Sequence, residues 1–270
     1  MLTRIMRRLI APALALAALA APVMASAAPP VVWVQAGHAP PGEPGYSALT
    51  GAGGGPFGSE AAFNLRVRDD MVTRLKAAGV NARPLVSRIN PMGARGATLI
   101  SIHFDQPGGA ASVGRAVVGG GENYYHGEGT GTARQTPYPD SGMHRTPATT
   151  VSGAVARRSA KLAGLLSSAL ASIRTAANGA SAPFLGVIPP DGNTRENHHY
   201  SYYRTNADAR VLVEVGAAGD DDPFLRKVPL IGATLTKAIV KDLKARKLLS
   251  PQGRANSQRD TSGVAINPRR

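Results

Sequence analysis

At 270 residues, 43% of them hydrophobic, the chain is long enough to bury one α/β core or two small domains. It has no cysteine, which excludes disulfides, thiolate metal sites and thiol-linked lipid, so any bound metal must be held by histidine and carboxylate. The formal charge of +14 is scattered and aromatics make up only 5%, which argues against the interleaved basic and aromatic surface that nucleic acid requires and favours a location near anionic polymers such as wall glycan or membrane phosphate.

Residues 1–27 read as a secretory signal and not as part of the fold. Arg4, Arg7 and Arg8 precede an apolar run from Leu9 to Met24, and Ala25-Ser26-Ala27 supplies the small residues of a cleavage site. The run is short and alanine-rich, so the expectation is an exported protein, periplasmic or secreted after cleavage near Ala27, and not a membrane-spanning one.

In the mature chain, Val31-Val32-Trp33-Val34 is a β-rich run that ends at Gln35-Ala36-Gly37-His38, with Pro40 and Pro41 preventing its continuation. Residues 40–59 are rich in Gly and Pro and read as a loop. Ser59 is the expected cap of a helix that opens with Glu60, carries Phe63, Val67, Met71 and Leu75 at helical spacing, and stops at Gly79. A carboxylate in a first helical turn has an ordinary explanation in the helix dipole. Ala82 to Val86 reads as a second strand and Arg88 to Gly96 as an irregular link.

Thr98 to Asp105 is apolar enough for a strand covered on both faces, and it delivers His103 near its carboxyl end. A histidine there is either a core residue satisfied by a carbonyl or a ligand at the edge where open α/β sheets place their sites. Residues 107–150 read as a surface loop, with Ala116-Val117-Val118 and Asn123-Tyr124-Tyr125 as strand fragments around Gly119-Gly120-Gly121. Val151 to Thr175 regains helical spacing, and residues 183–206 return to loop. Arg210 to Gly216 is a second continuous apolar run, this time with Glu214 inside it; an acid in a buried strand is costly unless it is paired, protonated or near a metal. A helix over residues 223–249 and a disordered basic tail over 250–270 complete the chain. The order of elements predicts a three-layer α/β fold, a central, mostly parallel sheet with helices on both faces, in one domain over residues 28–249.

Parallel strands carry their carboxyl ends to one edge, which would gather His38, Glu60, His103 and Glu214. Two imidazoles and a carboxylate are a donor set used by catalytic zinc, and a further carboxylate can move protons. Spacing alone does not choose this set, because neither a His-Glu-x-x-His helix nor a His-x-x-Glu pair is present.

Four segments in order, Gln35-Ala36-Gly37-His38, Ser59-Glu60-Ala61-Ala62-Phe63-Asn64-Leu65, Ser101-Ile102-His103-Phe104-Asp105 and Val211-Leu212-Val213-Glu214-Val215-Gly216, resemble the motifs of the zinc-dependent N-acetylmuramoyl-L-alanine amidases that separate daughter cells. The resemblance spans roughly Val31 to Leu249. It implies zinc held by His38, Glu60 and His103, with Glu214 as the catalytic acid and base. It also implies peptidoglycan as substrate, cleaved at the amide between N-acetylmuramic acid and L-alanine. Five positions depart from the family pattern: Gln35 where an acid is usual, Ala39-Pro40 for Gly-Gly, Asp105 for Asn, and Ala217 for Phe.

Some members of that family carry a helix that plugs the site until a protein activator removes it; the Gly and Thr content of residues 107–150 argues against such a helix here. Two other readings remain at this point: a zinc hydrolase on the same scaffold that cuts free muropeptides, with Arg95, Arg195 and Arg204 as candidates to grip stem-peptide carboxylates, and a basic wall-binding protein without catalysis. Glu214 speaks against the last. His126, His144, His198 and His199 lie in loop sequence and are expected to be solvated.

Overall fold

A computed structural model describes residues 30–38, 51–85, 94–118, 151–188 and 205–249. The expected signal and tail, His126, His144, His198, His199, Arg195, Arg204, Ala39-Pro40 and the Asn123-Tyr124-Tyr125 fragment all lie outside the described residues. Eight strands and four α-helices follow one another as β1 (Val32–Ala36), α1 (Glu60–Ala77), β2 (Ala82–Leu85), β3 (Ala94–Gly96), β4 (Thr98–Asp105), β5 (Ala111–Arg115), α2 (Gly153–Ile173), β6 (Phe184–Val187), β7 (Thr205–Ala207), β8 (Arg210–Ala217), α3 (Asp222–Leu225) and α4 (Val228–Ala245) among the described residues.

Six of the strands form one sheet in the order β2-β1-β4-β8-β5-β6, and the other two, β3 and β7, make a short parallel ladder of their own. Within the main sheet every pairing is parallel except that of β5 with β8. This is the expected α/β architecture, a central, mostly parallel sheet with helices around it. The alternation of strand side chains divides the core. Val32, Val34, Ile100, Ile102, Val211, Val213 and Val215 join Phe63, Val67 and Met71 of α1, Leu162, Leu166 and Leu170 of α2, and Ile231, Leu235 and Ile239 of α4 in one buried cluster. Trp33 and Leu99, one residue out of phase, pack instead with Leu85 and Ala207.

The helix boundaries follow their caps. Ser59 accepts from the Ala62 N–H at the start of α1, and Gly79, at φ +77, takes the left-handed turn that ends it. Ser152 caps α2 in the same way. Among the described residues no helix is long and apolar enough to cross a membrane.

Several elements differ from the expectation. The link before β4 contains a strand, Ala94–Gly96, which pairs with Thr205–Ala207 inside the region expected to be loop. The strand after β4 is Ala111–Arg115 and not Ala116-Val117-Val118; Ala111, Ser112 and Val113 are buried. Phe184–Val187, also expected to be loop, is the edge strand beside it. The last helix is broken, because Pro223 and Pro229 each start a separate helical segment, α3 and α4.

Candidate metal centre and its surroundings

In the sheet order, the connection from β1 leads outwards to β2 and the chain then returns to place β4 on the other side of β1. The carboxyl ends of β1 and β4 therefore flank a crevice where the strand order reverses, the place where open α/β sheets bind ligands. His38 follows β1 and His103 lies near the end of β4. Glu60, the first residue of α1, reaches the same crevice because its helix starts there.

The three side chains meet. Glu60 Oε1 is 2.9 Å from His103 Nδ1 and its Oε2 is 3.2 Å from His38 Nε2. One donor atom from each of the three residues falls within 4.8 Å of the others. The two imidazole rings stand edge to face with centroids 5.0 Å apart. The carboxylate is further held by the N–H groups of Ala52, at 2.8 Å, and Phe104, at 3.3 Å, and by the Asn64 amide at 3.4 Å.

Burial, the largest single influence on Glu60, works against its ionisation. The hydrogen bonds from His103 and His38 and the positive potential of the imidazoles together outweigh it and hold the carboxyl below the usual carboxylate range. Glu60 is thus charged at neutral pH, as a metal ligand must be.

The backbone leaves room for these rings. A Cβ on Gly37 would lie 2.1 Å from His103 Cε1, and one on Gly51, whose φ is +77, would lie 2.4 Å from Glu60 Oε2 and 2.6 Å from His38 Cδ2. His38 itself takes φ 62, an uncommon conformation for a residue with a side chain. Ser101 Oγ lies 3.0 Å from His103 Nε2, so a tautomer protonated there donates to Ser101 and frees the Nδ1 lone pair on the Glu60 side. Converging nitrogen and carboxylate donors, an ionised glutamate and a pair of missing Cβ atoms make a set into which a divalent cation such as zinc fits.

Glu214 sits beside this cluster without belonging to it. The β4–β8 register pairs it with His103, and neighbours in a parallel ladder present their side chains to the same face. Glu214 is the one partly exposed residue of β8. Its strand is buried as expected, and one oxygen of the carboxylate, Oε2, is itself buried. Of the arginines considered as substrate clamps, Arg95 is an exposed residue of β3 whose carbonyl accepts from Trp33 Nε1. Gln35, the departure before the first histidine, is fully buried.

No protein-family model matches the chain, and no curated protein matches it by sequence. Solved structures similar to it include N-acetylmuramoyl-L-alanine amidases. With AmiC2 of Nostoc punctiforme the identity is 13%, over 80% of this chain and 98% of that one, with a TM-score of 0.46. With the apo form of Ami1 from Mycobacterium abscessus the identity is 13%, over 80% of this chain and 100% of that one, with a TM-score of 0.48. The CwlD amidase from Clostridioides difficile, solved in complex with the GerS lipoprotein, is similar at 13% identity over 80% of this chain and 99% of that one, with a TM-score of 0.44.

Two residues at the crevice were not singled out by residue-level reading: Asn64 and Ser101. Each stands at a spacing that carries the signal, Asn64 four residues after Glu60 on the same helical face and Ser101 two residues before His103 on the same strand face.

Proposed function

We propose that this protein is an exported zinc amidase that hydrolyses the amide joining the lactyl group of N-acetylmuramic acid to the L-alanine of the peptidoglycan stem peptide. The observation that carries the reading is the meeting of His38, Glu60 and His103 within 4.8 Å at the β1/β4 crevice, with Glu214 in register beside them. In this reading His38, Glu60 and His103 hold zinc. Bound there, the ion would polarise the scissile carbonyl and acidify a water molecule. Residues 1–27 serve as the signal, 28–249 as the catalytic domain and 250–270 as a basic tail.

The chain's own residues supply the rest of the chemistry. Glu214 takes the proton of the attacking water as the new carbon–oxygen bond forms. The carbon–nitrogen bond then breaks, and Glu214 passes that proton to the leaving nitrogen, which departs as the free amine of L-alanine; the lactyl group is left as a carboxylic acid, which loses the second proton of the water to solvent and becomes a carboxylate.

The test is a metal-dependence assay on purified peptidoglycan with wild-type protein and Glu214→Gln. Wild-type release of soluble fragments should stop with a chelator and return with zinc. Glu214→Gln should keep its zinc and lose turnover by about 100-fold or more. Normal turnover in that variant contradicts the role given to Glu214.

A further inference from the structure

We propose that Asn64 is the positioning residue that sets the spacing between the first imidazole and the carboxylate of the metal cluster, an inference that rests on the metal-site reading above. Asn64 is fully buried in α1, one turn after Glu60. Its Nδ2 lies 3.0 Å from the Gly37 carbonyl oxygen and 3.4 Å from Glu60 Oε1. Both partners can only accept, so both require the amide nitrogen, and the orientation of the side chain is thereby fixed.

The first of these bonds acts on His38 through the backbone. The Gly37 carbonyl belongs to the peptide plane that leads into His38, and rotation of that plane changes the φ of His38. That φ is 62, an uncommon conformation for a residue with a side chain, and it persists only where the surroundings hold it. Two bonds hold it: the Gly37 N–H donates to Ile102 O at 2.9 Å and the Gly37 carbonyl accepts from Asn64. The second bond of Asn64 reaches the carboxylate that contacts both imidazoles. One amide therefore ties the segment that carries His38 to the ligand on α1 before any ion arrives.

Partners of this kind change metal affinity by about 10–100-fold when removed. The experiment is zinc competition against a chromophoric chelator, with the thermal unfolding of each metal-free protein measured alongside. Asn64→Leu fills the volume without a donor, and Asn64→Ser keeps a polar, shorter group should leucine prevent folding. Either variant, folded at the assay temperature, should bind zinc at least tenfold more weakly than wild type, with serine the milder. Wild-type affinity in a folded variant overturns the inference and leaves the metal site standing. A folded wild-type protein that fails to take up zinc overturns the metal-site reading and this inference with it.

Discussion

At the scale of single residues the candidate site is a matter of a few ångströms. His103 fits only because position 37 has no Cβ, and Gly37→Ala places a methyl 2.1 Å from the ring. A displaced ring of this sort, moved by about 1 Å, costs on the order of 100-fold in turnover, which steady-state kinetics on solubilised peptidoglycan would register. His103→Ala should go further and lose metal as well as activity. Elemental analysis of the purified variant checks this, and a full complement of zinc contradicts its place among the ligands.

His38 and His103 stand out in the sequence because each polar ring ends an apolar run, whereas Glu60 after its capping serine has the ordinary explanation of the helix dipole, and it is the resemblance that joins the three. Asn64 is not, since an asparagine within a helix looks like any polar surface position until the fold seals it against Gly37. Glu214 announces itself as an acid among valines, but its register opposite His103 is a tertiary fact.

At the scale of elements the end of β8 is fixed by a buried ion pair. Arg174, just past α2, donates from Nη1 to the Val215 carbonyl and to Asp221 Oδ2, both at 2.8 Å, and from Nη2 to Ala182 O. Asp221 accepts from the N–H groups of Ser181, Ala182 and Ala217. The pair thus binds α2, the segment before β6, and the strand that carries Glu214. Breaking it with Arg174→Met leaves a buried carboxylate short of its cation and should cost about 3–5 kcal/mol, read from the midpoint of denaturant unfolding.

The pH dependence follows in sign. Burial alone would raise the Asp221 pKa, but Arg174 and the three N–H groups hold it below its ordinary 3.8. The stabilisation is therefore present above about pH 3.8 and lost as pH falls through the lower native value. Asp221→Asn should flatten that acid limb of the stability profile; an unchanged slope would contradict the assignment.

Elements with strong periodicity, α1, α2, β4 and β8, are readable from sequence. Strands β3, β5, β6 and β7 are not, because they are only three to five residues long and owe their state to pairing partners far along the chain, and β3, β5 and β6 also contain glycine.

At the scale of the whole molecule, net charge and the proposed export bear on where the proposed chemistry would happen. The formal charge of +14 falls by the three arginines of residues 1–27, 14 − 3 = +11, on the chain after cleavage, which should be retained on anionic wall polymer in a salt-dependent way. Pelleting with purified walls should decline steeply as ionic strength rises past about 0.1 M, where the screening length falls to about 10 Å. Retention insensitive to salt would mean that specific contacts, and not charge, hold the protein there. N-terminal sequencing of protein recovered from outside the cytoplasm should begin close after Ala27, since the residues before it have the pattern of a cleaved signal.

The central claim concerns one bond. Mass spectrometry of the soluble products from zinc-loaded mature protein and purified peptidoglycan, set against a chelated control, tests it most directly. The account predicts free stem peptides that begin with L-alanine and appear only with metal. Muropeptides that keep the lactyl amide and carry shortened peptides would contradict the assignment of the bond, and the absence of any metal-dependent product would contradict the amidase itself.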